Sequence, residues 1–139
     1  EKEAVVIYFS DHGEEIYDYR DYVSRSSCFK ENVASWMHCQ LDVPFFVYVS
    51  DLYKNKHPEM VERIVRSSNR PYMIDDLPHL LCDLAGIKNK WYDSRRSVIN
   101  DSFDVDRKRM VTDWCEAELF DYDSVCAAYG SWEIGWSKN

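Results

Sequence analysis

The feature that most constrains the fold is an unbroken apolar run from Ala4 to Phe9, which ends in Ser-Asp-His-Gly-Glu at 10–14. A run so rich in β-branched and aromatic residues predicts a strand that is buried on both faces, as in a parallel sheet between helices. In an open α/β sheet, ligands gather at the carboxyl ends of the strands. The residues that follow this strand are therefore the first candidates for a functional site.

Two side chains that can bind a metal, Asp11 and His12, stand next to each other directly after this strand. Carboxylate oxygens and imidazole nitrogens are ligands that suit zinc or a similar divalent ion. We expect Gly13 to let the backbone turn sharply, which would keep both side chains at the sheet edge. The alternative is a polar turn in which Asp11 caps the backbone and His12 is exposed to solvent.

The string Val-Ile-Tyr-Phe-Ser-Asp-His-Gly-Glu-Glu at 6–15 resembles a signature of the sulfatase-like branch of the alkaline phosphatase superfamily, nearest to bacterial phosphoethanolamine transferases. Segments 18–22, 43–47, 76–87 and 92–97 agree with that family in the same order. The resemblance implies an α/β fold, the C-terminal portion of an alkaline-phosphatase-like α/β/α sandwich with a mostly parallel sheet flanked by helices. Residues 1–139 would then be a single-domain fragment, the C-terminal part of a sulfatase-like catalytic domain.

The resemblance also implies a set of site residues. Asp11 and His12 would be ligands of a catalytic zinc or another divalent cation. The family's threonine nucleophile and its remaining ligands are expected upstream of Glu1, so we expect no catalytic nucleophile in this chain and no activity of the chain in isolation. A further ligand histidine is expected in the loop after the Asp-His pair, but 24–28 read Ser-Arg-Ser-Ser-Cys. Glu14 and His38 are therefore the candidates for a third ligand or for a residue that supports the ligands.

The function implied is a metal-dependent transfer of phosphoethanolamine from a phospholipid donor to lipopolysaccharide or another cell-envelope glycolipid. The alternatives are a sulfatase or phosphodiesterase-type hydrolase of the same superfamily, and a non-catalytic domain that has lost the metal. The resemblance further implies a protein of the bacterial inner membrane. Its membrane helices would precede these residues, and this domain would be periplasmic.

Charge and composition narrow the function independently. A net charge of −8 argues against a nucleic-acid partner, which normally needs a basic face. It does not exclude an anionic substrate, because a bound divalent cation would dominate the local field. No segment reaches the roughly 20 apolar residues that span a bilayer. The chain starts without methionine, just before a buried strand, as expected of a fragment.

Periodicity predicts the rest of the scaffold. A second buried strand is expected at 43–49, a helix at about 59–67, and a clearer helix that Asp75 or Asp76 caps and Gly86 ends. Arg107 to Thr112 is expected to be an edge strand, and the acidic, aromatic tail at 113–139 to contain a hairpin.

The remaining polar residues favour structural roles. We expect His57 to lie on the surface, His79 to be structural, and Arg95 and Arg96 to form ion pairs rather than to bind phosphate. Five cysteines are an odd number, so at least one is unpaired within the chain. Cys82 is expected in the core, and a bridge between residues 115 and 126 stays open.

Overall fold

The computed structural model describes residues 2–18, 21, 23–24, 38–112 and 119–129. Residues 113–118 and 130–139 of the acidic tail, together with Cys28 and Cys115, lie outside the described residues. The chain forms two compact units, one of Glu1–Asp11 with Pro44–Arg107 and one of His12–Val43 with Lys108–Asn139. We call these the first and the second unit.

The described elements follow one another as short strands and helices. The strands are β1 (Val5–Phe9), β2 (Glu15–Ile16), β3 (Val23–Ser24), β4 (Phe45–Val49), β5 (Met110–Thr112) and β6 (Leu119–Asp121). The helices are α1 (Asp51–Lys56), α2 (Pro58–Arg66), α3 (Leu77–Leu84) and α4 (Tyr122–Tyr129), with 3₁₀ turns at Ile74–Asp76 and Ser94–Arg96. Residues 38–41 are also helical. The strand predicted at 43–49 and the helices predicted at 59–67 and after Asp76 are thereby confirmed.

The sheet of the first unit consists of β1 and β4, which run antiparallel with Val5 opposite Val49 and Phe9 opposite Phe45. The sequence predicted a mostly parallel sheet, but every strand pair among the described residues is antiparallel. The reason is that an apolar run identifies a strand without fixing the direction of its neighbour. The apolar sequence therefore located both strands and left their pairing undetermined.

The β1–β4 ladder has one face on the core and one face exposed. Ile7 and Phe45 pack against the buried cluster of Leu80, Val98 and Ile99. The opposite face carries apolar side chains that are about half exposed, Val6, Tyr8, Phe46 and Tyr48. The prediction that β1 is buried on both faces is therefore wrong within this chain, because the helices of the first unit that contact the ladder cover only one side. Tyr8 and Phe46 stack on the exposed side with ring centroids 4.8 Å apart.

Helix α3 is the central helix of the first unit. Leu80 is fully buried, and Leu77 and Leu84 pack around it on the same helix. The helix ends as the sequence predicts, because Gly86 adopts the left-handed conformation with φ of +66°. The amide of Gly86 donates to the Asp83 carbonyl at 3.2 Å and that of Ile87 to the Cys82 carbonyl at 2.8 Å. These two bonds form a complete Schellman motif.

A carboxylate on α3 joins the helix to the segment at 92–100. Asp83 accepts hydrogen bonds from the Tyr92 hydroxyl at 2.7 Å, from Asn100 at 2.9 Å and from Arg63 at 3.2 Å. Burial alone would raise the pKa of the Asp83 carboxyl, but the hydrogen bonds from Asn100 and Tyr92 and the charge of Arg63 outweigh burial and hold the pKa below its usual value.

The lowered pKa of Asp83 predicts an acid-dependent loss of stability. As the pH falls towards the ordinary value of 3.8, the unfolded chain takes up its proton before the folded chain does. The stability that Asp83 contributes is therefore full above that pH and is lost as the pH falls through the folded value. Urea denaturation over this range should show a steeper decline for the parent protein than for Asp83→Asn. Equal slopes for the two proteins would contradict the prediction.

Histidines and arginines of the first unit take the structural roles predicted for them. His79 is buried and accepts a hydrogen bond from the Asp93 amide at 3.0 Å. His57 is exposed and lies 2.5 Å from a Glu3 oxygen. Arg95 pairs with Asp93 at 3.2 Å. Arg96 pairs with the carboxylates of the turn that precedes α3, as predicted.

Two ion pairs join each acidic residue before α3 to the same pair of arginines. Asp76 bonds the Arg96 guanidinium and lies 2.8 Å from Arg107. Asp75 bonds the same two arginines, at 3.0 Å and 2.9 Å. The Asp76 side chain is 2% exposed and that of Asp75 is 49% exposed. No side-chain cap bond is formed by Asp76 at the start of α3, because its carboxylate is used by the arginines.

The described elements of the second unit are the antiparallel pairs β2–β3 and β5–β6, the helical residues 38–41 and α4. Of the strand predicted at 107–112, only Met110–Thr112 is a strand, β5. In the described part of the tail, β6 leads directly into α4. Tyr122 is buried, and four apolar side chains pack against it: Leu41, Val111, Phe120 and Val125.

Candidate metal site

The Asp-His pair follows β1 after a single residue, Ser10. Asp11 is exposed and His12 is half-buried. The Nδ1 atom of His12 lies 3.0 Å from the carbonyl oxygen of Gly13. A proton on Nδ1 that donates to this carbonyl leaves Nε2 as the nitrogen with the lone pair. His12 therefore has a ring nitrogen suited to metal ligation.

Gly13 is held against the helical residues 38–41. Its amide donates to the Gln40 carbonyl at 2.7 Å. A Cβ on Gly13 would stand 2.0 Å from the Cys39 carbonyl oxygen, closer than any real contact. This close approach therefore requires a residue without a side chain at position 13. The reason is not a left-handed backbone, which among the described glycines is found at Gly86. The contact joins the peptide next to His12 to the turn that begins with His38.

His38 is part of a hydrogen-bonded group with an aspartate and a tyrosine. Its Nδ1 lies 2.6 Å from Asp42 Oδ2 and 3.1 Å from the Tyr122 hydroxyl oxygen. The Tyr122 hydroxyl donates to the other carboxylate oxygen of Asp42. The rings of His38 and Tyr122 meet edge to face, with centroids 5.9 Å apart. Asp42 is therefore bonded to both rings at once.

Tyr122 is itself held by a charged pair of the second unit. The Arg109 guanidinium lies over the Tyr122 ring, 4.6 Å from its centroid. Arg109 bonds both carboxylate oxygens of Asp123. These bonds lower the pKa of Asp123 and raise that of Arg109, so both groups are charged at neutral pH. The Tyr122 ring, whose hydroxyl donates to Asp42, is thus held in place by the Arg109 guanidinium.

The two glutamates after Gly13 differ in burial. Glu14, the candidate from the sequence, is exposed, whereas Glu15 in β2 is fully buried. Cys39 is half-buried and free, and burial together with the nearby charges of Asp18 and Glu15 raises the pKa of its thiol to about 11. Cys39 is therefore a protonated thiol at neutral pH and a poor metal ligand. Cys82 is also free, but it is only half-buried and lies outside the buried clusters, so the prediction that it belongs to the core is wrong.

The donors near this motif suit zinc in kind. A carboxylate from Asp11 and imidazoles from His12 and His38 are nitrogen and oxygen ligands that zinc accepts. Among the described residues, no group of three or more histidine, cysteine, aspartate or glutamate side chains is placed to hold a metal ion. Two residues that contact His38, Asp42 and Tyr122, were not identified from the sequence. Asp42 could have been found from the sequence, because it lies four positions after His38 and residues at that spacing are neighbours on a helix. No local pattern in the sequence connects Tyr122 to His38.

Comparison with known families agrees with the motif. The Sulfatase family model matches residues 1–87. The chain is 31% identical over 120 residues to the phosphoethanolamine transferase EptC of Escherichia coli K12, covering 86% of this chain and 20% of that protein. Phosphoethanolamine transferase CptA of Salmonella typhimurium is similar to the same extent, again at 31% over 120 residues. The chain thus spans about a fifth of the length of the curated relatives that it matches.

Solved structures match the fold as well. The zinc complex of the C-terminal periplasmic domain of EcEptC from Escherichia coli superimposes with a TM-score of 0.66 at 31% identity, over 86% of this chain and 32% of that one. Another crystal structure of the same domain gives a TM-score of 0.68 at 29% identity, over 91% of this chain and 34% of that one.

The likeness to these structures confirms the predicted alkaline-phosphatase-like α/β fold class. Within the described residues, no helix is both long enough and apolar enough to cross a membrane. Since one family model covers well over half of the chain, and includes the Asp11–His12 motif, the chain belongs to the sulfatase family.

Proposed function

We propose that the protein is a zinc-dependent phosphoethanolamine transferase and that this chain contributes part of its metal site. The observation that carries the proposal is the Asp11–His12 pair directly after β1, inside the region that matches the sulfatase family. Transferases with similar sequences and a zinc-bound relative support the same chemistry. The nucleophile belongs to the part of the protein that precedes these residues.

The ligands that we propose from this chain are Asp11 through its carboxylate and His12 through Nε2. His38 serves better as a residue that supports the ligands than as a third ligand, since the turn that carries it bonds Gly13, next to His12, through Gln40, but no three metal-capable side chains of the described residues are placed together. Glu14 is exposed and serves better as a residue that supports the ligands than as a ligand. Zinc bound here would supply a Lewis acid that neutralises charge on the transferred phosphoryl group.

The substrates follow from the proposed activity. A phospholipid with a phosphoethanolamine headgroup would be the donor, and lipopolysaccharide or another cell-envelope glycolipid the acceptor. We propose that the protein belongs to the bacterial inner membrane with this domain in the periplasm, as the solved relatives are described as periplasmic domains. In a chain with a net charge of −8, a bound divalent cation would supply a local counter-charge for such phosphate-bearing substrates.

Zinc content and transfer activity of the full-length protein test the proposal. His12→Ala should weaken zinc binding by at least about 100-fold, since loss of a direct ligand costs more than loss of a supporting residue. Transfer from phosphatidylethanolamine should be lost with it. His57→Ala is the matched control, because His57 is an exposed histidine bonded to Glu3 in the first unit, and it should bind zinc as the parent does.

Two outcomes would overturn the proposal. Unchanged zinc affinity in His12→Ala would remove the metal site from this motif. Hydrolysis of a sulfate ester by the zinc-loaded protein, without transfer from phosphatidylethanolamine, would make it a hydrolase of the same family, the second candidate that the family match favours.

A further inference from the structure

The loop at 86–91, which follows α3, exposes apolar and basic side chains together. Trp91 is 76% exposed and Ile87 is 53% exposed. Tryptophan is highly buried on average in folded proteins, so a ring that faces water to this extent is unusual. Lys88 and Lys90 are exposed in the same loop, and the Lys90 ammonium lies 4.7 Å from the centroid of the Trp91 ring.

Hydrogen bonds give this loop a defined shape. The Asn89 side chain accepts a hydrogen bond from the Trp91 amide at 2.8 Å, and the Asn89 carbonyl accepts one from the Tyr92 amide at 3.2 Å. The loop begins at the Schellman motif of Gly86 and ends at Tyr92, whose hydroxyl donates to Asp83 at 2.7 Å. The exposed ring of Trp91 is therefore carried by a hydrogen-bonded turn that is attached to α3 at both ends.

The loop is basic although the chain is acidic. Residues 84–92 include two lysines and no acidic residue, whereas the whole chain has a net charge of −8. The carboxylates on either side of this stretch are both paired with arginines, Asp83 with Arg63 and Asp93 with Arg95. The stretch is therefore locally positive, and charge complementarity favours a negatively charged partner.

A tryptophan beside two lysines is a combination that suits the surface of an anionic bilayer. Tryptophan rings are enriched at the boundary between lipid headgroups and acyl chains, and anionic lipids attract lysines near that surface. A buried contact with protein fits less well, because lysine is depleted from the cores of such interfaces. We propose that the loop at 86–91 contacts an anionic phospholipid bilayer, with Trp91 and Ile87 at the headgroup level and both lysines at the lipid phosphates.

This contact is weak by itself and serves to orient the domain. Each lysine near an anionic surface favours binding by about 5-fold, which corresponds to about 1 kcal/mol. Stable anchoring of a protein to a membrane takes stronger signals than two lysines and one ring. The loop would therefore determine which side of the first unit faces the lipid. The inference uses the proposed membrane location but not the proposed metal site.

Quenching of Trp91 fluorescence by brominated phospholipids tests the inference in the full-length protein. The difference in emission between the parent and Trp91→Phe isolates this ring from the other tryptophans. In vesicles of phosphatidylcholine with phosphatidylglycerol, the difference emission should be quenched and shifted to shorter wavelength. Lys88→Gln and Lys90→Gln should each lower the ratio of bound to free loop by about 5-fold. Added salt should lower the ratio as well, because it screens the attraction between the lysines and the lipid.

Lys54→Gln and Lys56→Gln are the matched controls. Both residues are exposed lysines of the first unit, and both are paired with carboxylates. Either substitution should leave the quenching of Trp91 at the level of the parent. His12→Ala should also leave the quenching unchanged while it weakens zinc binding, so the failure of this inference and the failure of the proposed function are distinguishable.

Three results would overturn the inference. A Trp91 emission that is unquenched and typical of a ring in water would show that the loop stays in solvent. An emission at shorter wavelength that is unquenched in every vesicle would show that protein, and not lipid, covers the ring. Quenching that is the same without phosphatidylglycerol and in both lysine variants would show that anionic lipid does not attract the loop.

Discussion

Gly13→Ala is expected to destabilise the protein by about 3 kcal/mol, near the upper end of the cost of overpacking. The added methyl group would stand 2.0 Å from the Cys39 carbonyl oxygen and 3.4 Å from Gln40 Cα. Both atoms belong to the backbone, so no side-chain rotation relieves the clash. The hydrogen bond from the Gly13 amide to the Gln40 carbonyl must lengthen or break as these two segments of the backbone move apart.

The same substitution should lower zinc affinity, because the clash displaces the backbone next to His12, one of the two proposed ligands. Gly86→Ala is the matched control. Gly86 has nothing within 4 Å of the position of a Cβ, so its cost is the left-handed φ of +66° alone. That strain amounts to about 1 kcal/mol. Urea denaturation and zinc titration of both variants check the prediction, and a stability loss for Gly13→Ala no larger than for Gly86→Ala would contradict it.

Asp76→Ala is expected to destabilise the first unit by about 3 kcal/mol, as found when one partner of a buried ion pair is removed. The Asp76 side chain is 2% exposed and bonds both Arg96 and Arg107. Its removal leaves the two guanidinium groups with the exposed Asp75 as their carboxylate partner and creates a buried cavity at the start of α3. The arginines are only partly exposed, at 34% and 28%, so water replaces the carboxylate incompletely.

Asp75→Ala provides the comparison for this prediction. Asp75 bonds the same two arginines, but its side chain is 49% exposed. An exposed pair of this kind contributes up to about 1 kcal/mol. Chemical denaturation of the two variants at neutral pH should therefore show how much of the stability loss comes from burial of the carboxylate and how much from its ion pairs. Equal losses would show that the ion pairs, and not the burial of Asp76, determine the stability of this turn.

The sequence correctly predicted the features that are determined by residues close together in the chain. The apolar runs located β1 and β4, and the leucine stripe with Gly86 located α3 and its end. The Asp11–His12 motif was visible because both residues adjoin in the chain. These features need only short stretches of sequence, since hydrophobic period and backbone conformation are set within a few residues.

Features that depend on distant residues could not be predicted in this way. Tyr122 meets His38 across 84 positions of the sequence, and no periodicity connects them. The antiparallel direction of β4 relative to β1 is likewise a property of the tertiary fold. The sequence correctly predicted that position 13 requires glycine, but it attributed this to a sharp turn. The actual reason is the Cys39 carbonyl, which excludes a side chain and comes from another segment.

The open side of the β1–β4 ladder has a practical consequence for anyone who purifies these 139 residues alone. Four large apolar side chains, with Tyr8 and Phe46 stacked among them, would meet water on one flat surface. Such a surface recruits other copies of itself and binds hydrophobic dyes. In sandwich folds of this class, sheets are sheltered on both sides, so we expect a further layer to cover the exposed side of this ladder.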